Sequence, residues 1–463
     1  MTASTLPVLV LIAFLWWRTK GELLPIILMC SVFDASAAVV VAGSAVVPWI
    51  LALAICLPIK IITGTLQWKP MVGTNKGAYH AMFLFVGYAF FSAMVCPFVF
   101  HGILVSNSHN GMNQPLAWTF SNFAQPSYLL CAMCVYLIAV HSTREQQRNA
   151  IDWFIYAAVT VASFMMYQLA NAVLHVPYPS AILYTNTTHV IYDAYKIGGV
   201  WRLNGTQTEA SAAAFFLAIG LALQGWQLAT HRIRWQSAAA FLLMLTALVL
   251  TVSTTGYACM VTLALSGILL YARHSFRKGG AAPVKVLIAL ALIGVAVPAF
   301  LLTNAGQTVS KVLMTVFVDK MSSDSYRERS MMNSLALQTA HDSYYFGAGW
   351  GSVRASSFAC SLFGNVGIPG ALLFAILLMQ LAKPLLKPRR YVRLALFERT
   401  LYGVFVMMVA QLVAGADLIS PIIWTMFGIA TASKPLRRAS AAVPAPSLAP
   451  ADPLPLQRPT LVT

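Results

Sequence analysis

Charge is what this sequence has least of. Only 9% of its 463 residues are Asp, Glu, Lys or Arg, whereas 59% are hydrophobic; soluble domains carry about a quarter charged residues. That scarcity excludes an ordinary soluble globular protein. Acidic residues are the rarer sign, 13 against 30 Lys and Arg. No His, Cys, Asp and Glu combination has metal-ligand spacing, so neither a metal nor another cofactor is expected. His101 and His109 share one loop with little else to coordinate an ion. All seven cysteines fall in or at the edge of apolar runs, which reads as packing rather than a disulfide framework. This holds for CAMC at 131–134 too, despite its redox-like spacing. Internal repeats are not evident, and ionisable groups within the apolar runs are few, with Asp34 the best placed. Both absences count against an ion-coupled carrier.

What the chain has instead is a series of long apolar runs separated by short polar loops. They lack the polar alternation of barrel strands and approach the length a helix needs to cross about 30 Å of hydrocarbon. The spans read as 5–17, 23–41, 45–59, 80–99, 122–141, 151–172, 209–229, 237–253, 256–272, 284–303, 358–382, 395–414 and 418–432. The expected fold is therefore an all-α polytopic membrane protein of about 12–13 transmembrane helices. The opening MTASTLPVLVLIAFLWW lacks a basic n-region and a small-residue cleavage site, so a retained span is expected.

The net charge of +17 could suggest nucleic acid, but its placement does not. Alternating the loops puts 23 of the Lys and Arg residues on one side and 7 on the other, the positive-inside pattern. The basic side is then cytoplasmic, as is the C-terminus, and no nucleic-acid partner is expected. A membrane domain over 1–433 precedes a Pro/Ala-rich tail at 434–463 that reads as disordered. Two outward loops are long, 173–208 and 304–357, and function on such a scaffold concentrates in loops held by rigid helices.

Two stretches carry candidate chemistry. In VWRLNGTQTEASAAAFFL, 200–217, Thr208 is a candidate N-cap and Glu209 a first-turn acid, with Arg202 in a Gly-containing segment able to fold toward it. This pattern fits an outer-leaflet anion site, and it equally fits a helix-capping acid beside an interfacial arginine. In DSYRERSMMNSLALQTAHDSYYFGAGWGSVRASS, 324–357, Arg327, Met331, Ser334 and Leu335 fall at helical spacing. A short amphipathic helix on the bilayer surface is expected, ended by Gly347. The glycines of GAGWGS permit tight turns and close approach of backbone to a ligand. Arg202, Arg327, Arg329 and Arg354 are the arginines of the outer face, and guanidinium groups suit phosphate oxygens. They equally suit anchoring to lipid headgroups. His341, beside Asp342, is a candidate general base or a surface residue between helix and turn.

In order and spacing, RLNGTQTEAS, TVSTTGYACM (251–260), SYRERSMMNSLALQ, FGAGWGS and SSFACSLFGNVGIPGALLF (356–374) resemble the O-antigen ligase and O-antigen polymerase superfamily. The resemblance covers roughly residues 195–385. It implies a metal-independent glycosyltransferase of the GT-C type in the bacterial inner membrane, active at the periplasmic face. The donor would be an oligosaccharide on undecaprenyl pyrophosphate, and the acceptor a glycan. Arg202 and Arg327 match the family's pyrophosphate-binding arginines, with Arg329 and Arg354 as neighbours.

The ligase pattern has a histidine shortly after the G-x-G turn. This chain has SVRASSFACS there, with His341 before the turn instead. TEAS at 208–211 resembles the E-P-S form of exopolysaccharide and O-antigen polymerases, with Ala210 in place of proline. The resemblance thus favours the polymerase branch, which implies a flippase and a chain-length regulator as partners. A ligase acting on lipid A core or protein, and a lipid-linked oligosaccharide flippase, are the alternatives.

Overall fold

The computed structural model describes residues 2–41, 44–66, 68, 74–107, 111–188, 191, 194–197, 200–230, 234–278, 307, 324–386, 395–415 and 418–432. The expected span 284–303, nearly all of 304–323 and the tail 434–463 lie outside them. The described chain is mainly helical. In order run α1 (Thr5–Arg18), α2 (Leu23–Cys30), α3 (Pro48–Ile62), α4 (Lys76–Val99), α5 (Ser121–His141), α6 (Arg144–Leu174), the short α7 (Ser180–Leu183), α8 (Ala210–Thr230), α9 (Trp235–Leu250) and α10 (Thr254–Lys278). After the undescribed stretch come α11 (Asp324–Asp342), α12 (Phe358–Leu386), α13 (Ala395–Ala414) and α14 (Pro421–Ala432).

Among the described residues, five helices are long and apolar enough to cross a membrane: α4, α5, α6, α8 and α12. Shorter apolar helices include α1, α3, α9 and α14. At 31 residues α6 is about 46 Å long and exceeds the hydrocarbon thickness. Its surplus is the polar REQQRN start, held by a capping box in which Thr143 and Gln146 satisfy each other's backbone N–H. The outer surface is apolar as well. Leu6, Val10, Phe14 and Trp17 form one exposed stripe of α1, the inverse of a soluble helix and the face expected to meet lipid.

The run 23–41 departs from the expected span. It is helical only through α2 and a 3-10 turn at Ser31–Phe33. Beyond that the backbone bonds outside any helix: Ala35 N–H donates to Thr206 O at 3.0 Å and Ala38 N–H to Val46 O at 2.8 Å. Residues 35–38 are buried against protein, whereas Val40 and Val41 are exposed on the first strand of a hairpin.

Three antiparallel hairpins follow α2, α4 and α7: β1 (Val39–Val41) with β2 (Ser44–Val46), β3 (Leu104–Asn107) with β4 (Gly111–Pro115), and β5 (Tyr195–Ile197) with β6 (Val200–Arg202). The chain direction puts all three at one end of the bundle, where Ala37 N–H, just before β1, donates to Thr185 Oγ1, in the segment leading to β5, at 3.0 Å. The opposite end carries Lys60, Lys76 and Arg144 at helix termini, where Asn75 N–H donates to Thr431 O and Arg144 to Ala432 O.

The core is continuous across most helices. At its centre α14 is buried on all sides from Pro421 to Thr431, and Gly428 lets α5 approach closely, since a Cβ there would lie 2.7 Å from Tyr136 O. One ionic clamp ties α13 to α6 and α8. The Arg399 guanidinium, 12% exposed, donates to Asp152 Oδ1 at 3.2 Å, Leu223 O at 3.0 Å and Gln227 Oε1 at 3.3 Å. A charge this buried is retained because all three partners share it.

Candidate functional site

The segment 195–211 begins as the β5–β6 hairpin, which pairs Tyr195 with Arg202. The Arg202 guanidinium lies over the Tyr195 ring at 5.6 Å, and Lys196 Nζ over Trp201 at 4.8 Å. Both cations therefore rest on aromatic faces.

Residues 203–208 are then all buried, although five of the six are polar or glycine. Their hydrogen bonds explain how. Gln168, fully buried in α6, accepts from the N–H groups of Asn204 (3.1 Å) and Gly205 (2.9 Å) and donates to Asn204 Oδ1 (3.0 Å). Tyr178 and Tyr184 hydroxyls donate to Gly205 O at 3.0 and 2.9 Å, and Thr206 and Gln207 side chains donate to Val32 O. This is a satisfied polar knot rather than a flexible linker.

Glu209 stands where the knot ends. Helix α8 starts at Ala210, so Glu209 precedes the first turn instead of lying in it, and Thr208 belongs to the knot, with its Oγ1 3.4 Å from Asp34 Oδ2. The Glu209 carboxylate accepts from Ser211 Oγ at 2.9 Å and faces Arg329 Nη2 at 3.6 Å. The turn between α9 and α10 supports the same region. Leu203 N–H donates to Leu250 O at 3.0 Å, and Val252 is buried against Val200 and Tyr257.

Helix α11 ends at Asp342, short of Gly347, and it packs on protein instead of lying free on a bilayer. Leu335, Ala336, Thr339 and Ala340 are buried, Thr339 Oγ1 donates to Leu104 O at 3.0 Å, and Asn333 Oδ1 accepts from the N–H groups of Ser356 (2.8 Å) and Ser357 (3.0 Å). Leu335 therefore does not share the exposed face of Arg327, Met331 and Ser334. That face continues through Gln338 to His341, all exposed. His341 Nδ1 lies 3.2 Å from Asp342 Oδ1, and the imidazole meets the Tyr345 ring edge-on at 5.8 Å.

The glycines of GAGWGS serve the fold directly. Gly347, Gly349 and Gly351 all have positive φ, and an added Cβ would strike Asn365 backbone (2.6 Å), Ser92 O (2.7 Å) and Gln125 Cβ (2.7 Å) respectively. Asn365 is the hub. Its Oδ1 accepts from Gly351 and Val353 N–H, both at 3.0 Å, while Nδ2 donates to Val353 O and Ser361 O, both at 2.8 Å. The close approach read from these glycines is to α4, α5 and α12. Arg354, exposed, is positioned by its N–H bond to Ser106 O at 2.9 Å.

Of the residues singled out from sequence, the structure joins Glu209 to Arg329 directly and sets Arg202 on the hairpin that leads into the same knot. Arg327 is exposed two residues from Arg329 and forms no ion pair among the described residues. His341 lies twelve residues beyond Arg329, about 18 Å along the helix axis, so it does not share the ion pair's site. Sequence reading missed Gln168, Asn333 and Asn365. For Gln168 and Asn365 the signal was an amide inside a largely apolar helix stretch, where an unpaired amide is costly; Asn333, in the polar α11, had none.

No protein-family model matches this chain, and no curated protein matches it.

Proposed function

We propose that this chain is a GT-C-like polysaccharide polymerase of the bacterial inner membrane, joining oligosaccharide repeat units carried on undecaprenyl pyrophosphate at its periplasmic face. The Arg329–Glu209 pair carries the reading: residues of two motifs 120 positions apart meet at 3.6 Å, and both remain part-exposed, 33% and 48%, as a ligand-accessible pair must. The hairpin end is the periplasmic one in this reading, because the basic helix termini lie opposite. Arg329 and Arg327, with Arg202 from the adjoining hairpin, hold the donor pyrophosphate through paired N–H donors. They stabilise the charge that develops as the pyrophosphate leaves. Glu209 orients the acceptor hydroxyl or takes its proton. A flippase delivers the donor, and a chain-length regulator acts on the product.

The test is reconstitution. Purified protein in nanodiscs, given lipid-linked repeat units, should yield a ladder of longer glycans and free undecaprenyl pyrophosphate without added metal. Absence of any chain growth, with the donor bound, would contradict polymerase activity.

A further inference from the structure

Just past α11 the chain makes a turn, Tyr344–Tyr345–Phe346, whose three aromatic side chains are 79%, 48% and 54% exposed. Tyr344 and Tyr345 both have positive φ, 51° and 62°, a conformation bulky residues rarely adopt. Neighbouring backbone fixes it. Tyr345 N–H donates to Ala340 O at 2.7 Å, Ile368 N–H to Tyr345 O at 2.8 Å, and the Tyr88 hydroxyl to Phe346 O at 3.3 Å. Gly367 breaks α12 with φ 60° where any Cβ would overlap the Tyr345 carbonyl. A strained, rigid and exposed aromatic turn is a feature to explain.

Its neighbours narrow the explanation. Beside the turn stand His341, 72% exposed, and Asp342, 35% exposed. Two residues before His341, Thr339 Oγ1 donates to Leu104 O of the β3–β4 hairpin, which holds this end of α11 at the hairpin end of the bundle. An exposed ionisable pair is disfavoured against acyl chains, so this face of the turn borders water or a polar ligand.

Aromatic faces beside hydrogen-bonding groups suit a ligand with an apolar face and a polar rim, and a sugar ring has both: C–H bonds on its faces and hydroxyls around its edge. The exposed face of α11 leads there from the phosphate end. Arg327, Ser330, Ser334, Gln338 and His341 follow one another at helical spacing over fourteen residues, about 21 Å. A short oligosaccharide covers such a distance.

Resting on the proposed glycan transfer, we infer that Tyr344, Tyr345 and Phe346, with His341 and Asp342, form a second subsite that binds sugar rings of the glycan by stacking. The polar face of α11 is the track that joins it to the arginines. His341 and Asp342 bond ring hydroxyls at the rim of the aromatic surface, and the strained backbone keeps the rings in place before the glycan arrives.

Binding to the full chain in nanodiscs tests this, by saturation-transfer NMR with the repeat-unit oligosaccharide freed from its lipid by mild acid. Undecaprenyl pyrophosphate serves as a separate probe. The wild type should bind both. Tyr344→Ala/Tyr345→Ala should bind the oligosaccharide at least tenfold more weakly and undecaprenyl pyrophosphate unchanged, and Tyr344→Phe/Tyr345→Phe should retain both. Arg329→Ala should lose the pyrophosphate and keep the oligosaccharide. Equal oligosaccharide binding by the wild type and the alanine variant would overturn the subsite, and would make the turn a bilayer contact. Pyrophosphate binding without oligosaccharide binding by the wild type would overturn the subsite alone; binding of neither would overturn the glycan-transfer reading with it. If the alanine variant does not fold, Tyr344→Leu/Tyr345→Leu replaces it with the same expectations.

Discussion

Arg329 Nη2 lies 3.6 Å from Glu209 Oε2, joining α11 to the start of α8. Both side chains are part-exposed, so the pair itself contributes less than about 1 kcal/mol to stability. Removing either charge should leave thermal unfolding of the purified protein nearly unchanged. Polymer formation should nevertheless fall by about a hundredfold or more in Arg329→Ala, as expected when a donor to developing charge is lost. Glu209→Gln should also lose activity; full activity would reduce Glu209 to a partner of Ser211 and Arg329.

Arg327 has no ion-pair partner among the described residues and is exposed on the same helix. Arg327→Ala should abolish polymer while the protein stays in the membrane at normal abundance. Arg327→Lys should fail substantially too, because a point charge does not reproduce two parallel hydrogen bonds. Normal polymer length from both variants, read on glycan gels, would remove Arg327 from the site.

The glycine segment and Asn365 should behave as structure. Asn365→Ala strands the N–H groups of Gly351 and Val353, at a cost above about 2 kcal/mol. Gly349→Ala forces a Cβ to within 2.7 Å of Ser92 O at φ 102°, at a cost of about 3 kcal/mol or more from strain and overlap together. Both should lower the melting midpoint in detergent. Retained stability with lost donor binding would instead make the segment a ligand cradle.

At the basic end, Glu22 precedes α2 between two helices. Burial pushes its carboxyl above the usual range, with Glu145 adding to the rise and Asn149 and Lys60 opposing it. Because the folded value exceeds the unfolded one, its ionisation penalises the fold, and this contribution to stability is lost as pH rises past the ordinary carboxylate range. Glu22→Gln should therefore gain stability relative to wild type at pH 8 and little at pH 4. Melting curves at the two pH values check the sign.

Much of the helix layout was legible in the sequence because apolar length is set directly by the bilayer: α4, α5, α6, α8 and α12 fall on expected runs. The failures were places where tertiary contacts, not hydropathy, set the backbone. The run 23–41 breaks because Thr206 and Asn186 take the hydrogen bonds of Asp34 and Ala35. LNGTQT reads as a loop and is buried, since its partners Gln168, Tyr178 and Tyr184 lie 20 to 40 residues away and no local pattern announces them. The sequence offered Arg202 as the partner of Glu209, and its meeting with Arg329 was not legible because 120 residues separate the two; the exposed track from Arg327 to His341 depends on which side of α11 its neighbours cover. That side is fixed by Asn333, Ala336 and Thr339.

Gene deletion in the native host, with gels of envelope and secreted glycans and mass spectrometry of lipid-linked intermediates, tests polymerase function most directly. Long polymer should vanish while single repeat units remain on undecaprenyl pyrophosphate or on the acceptor. Long chains still made but stranded on the carrier would contradict this account and identify a ligase.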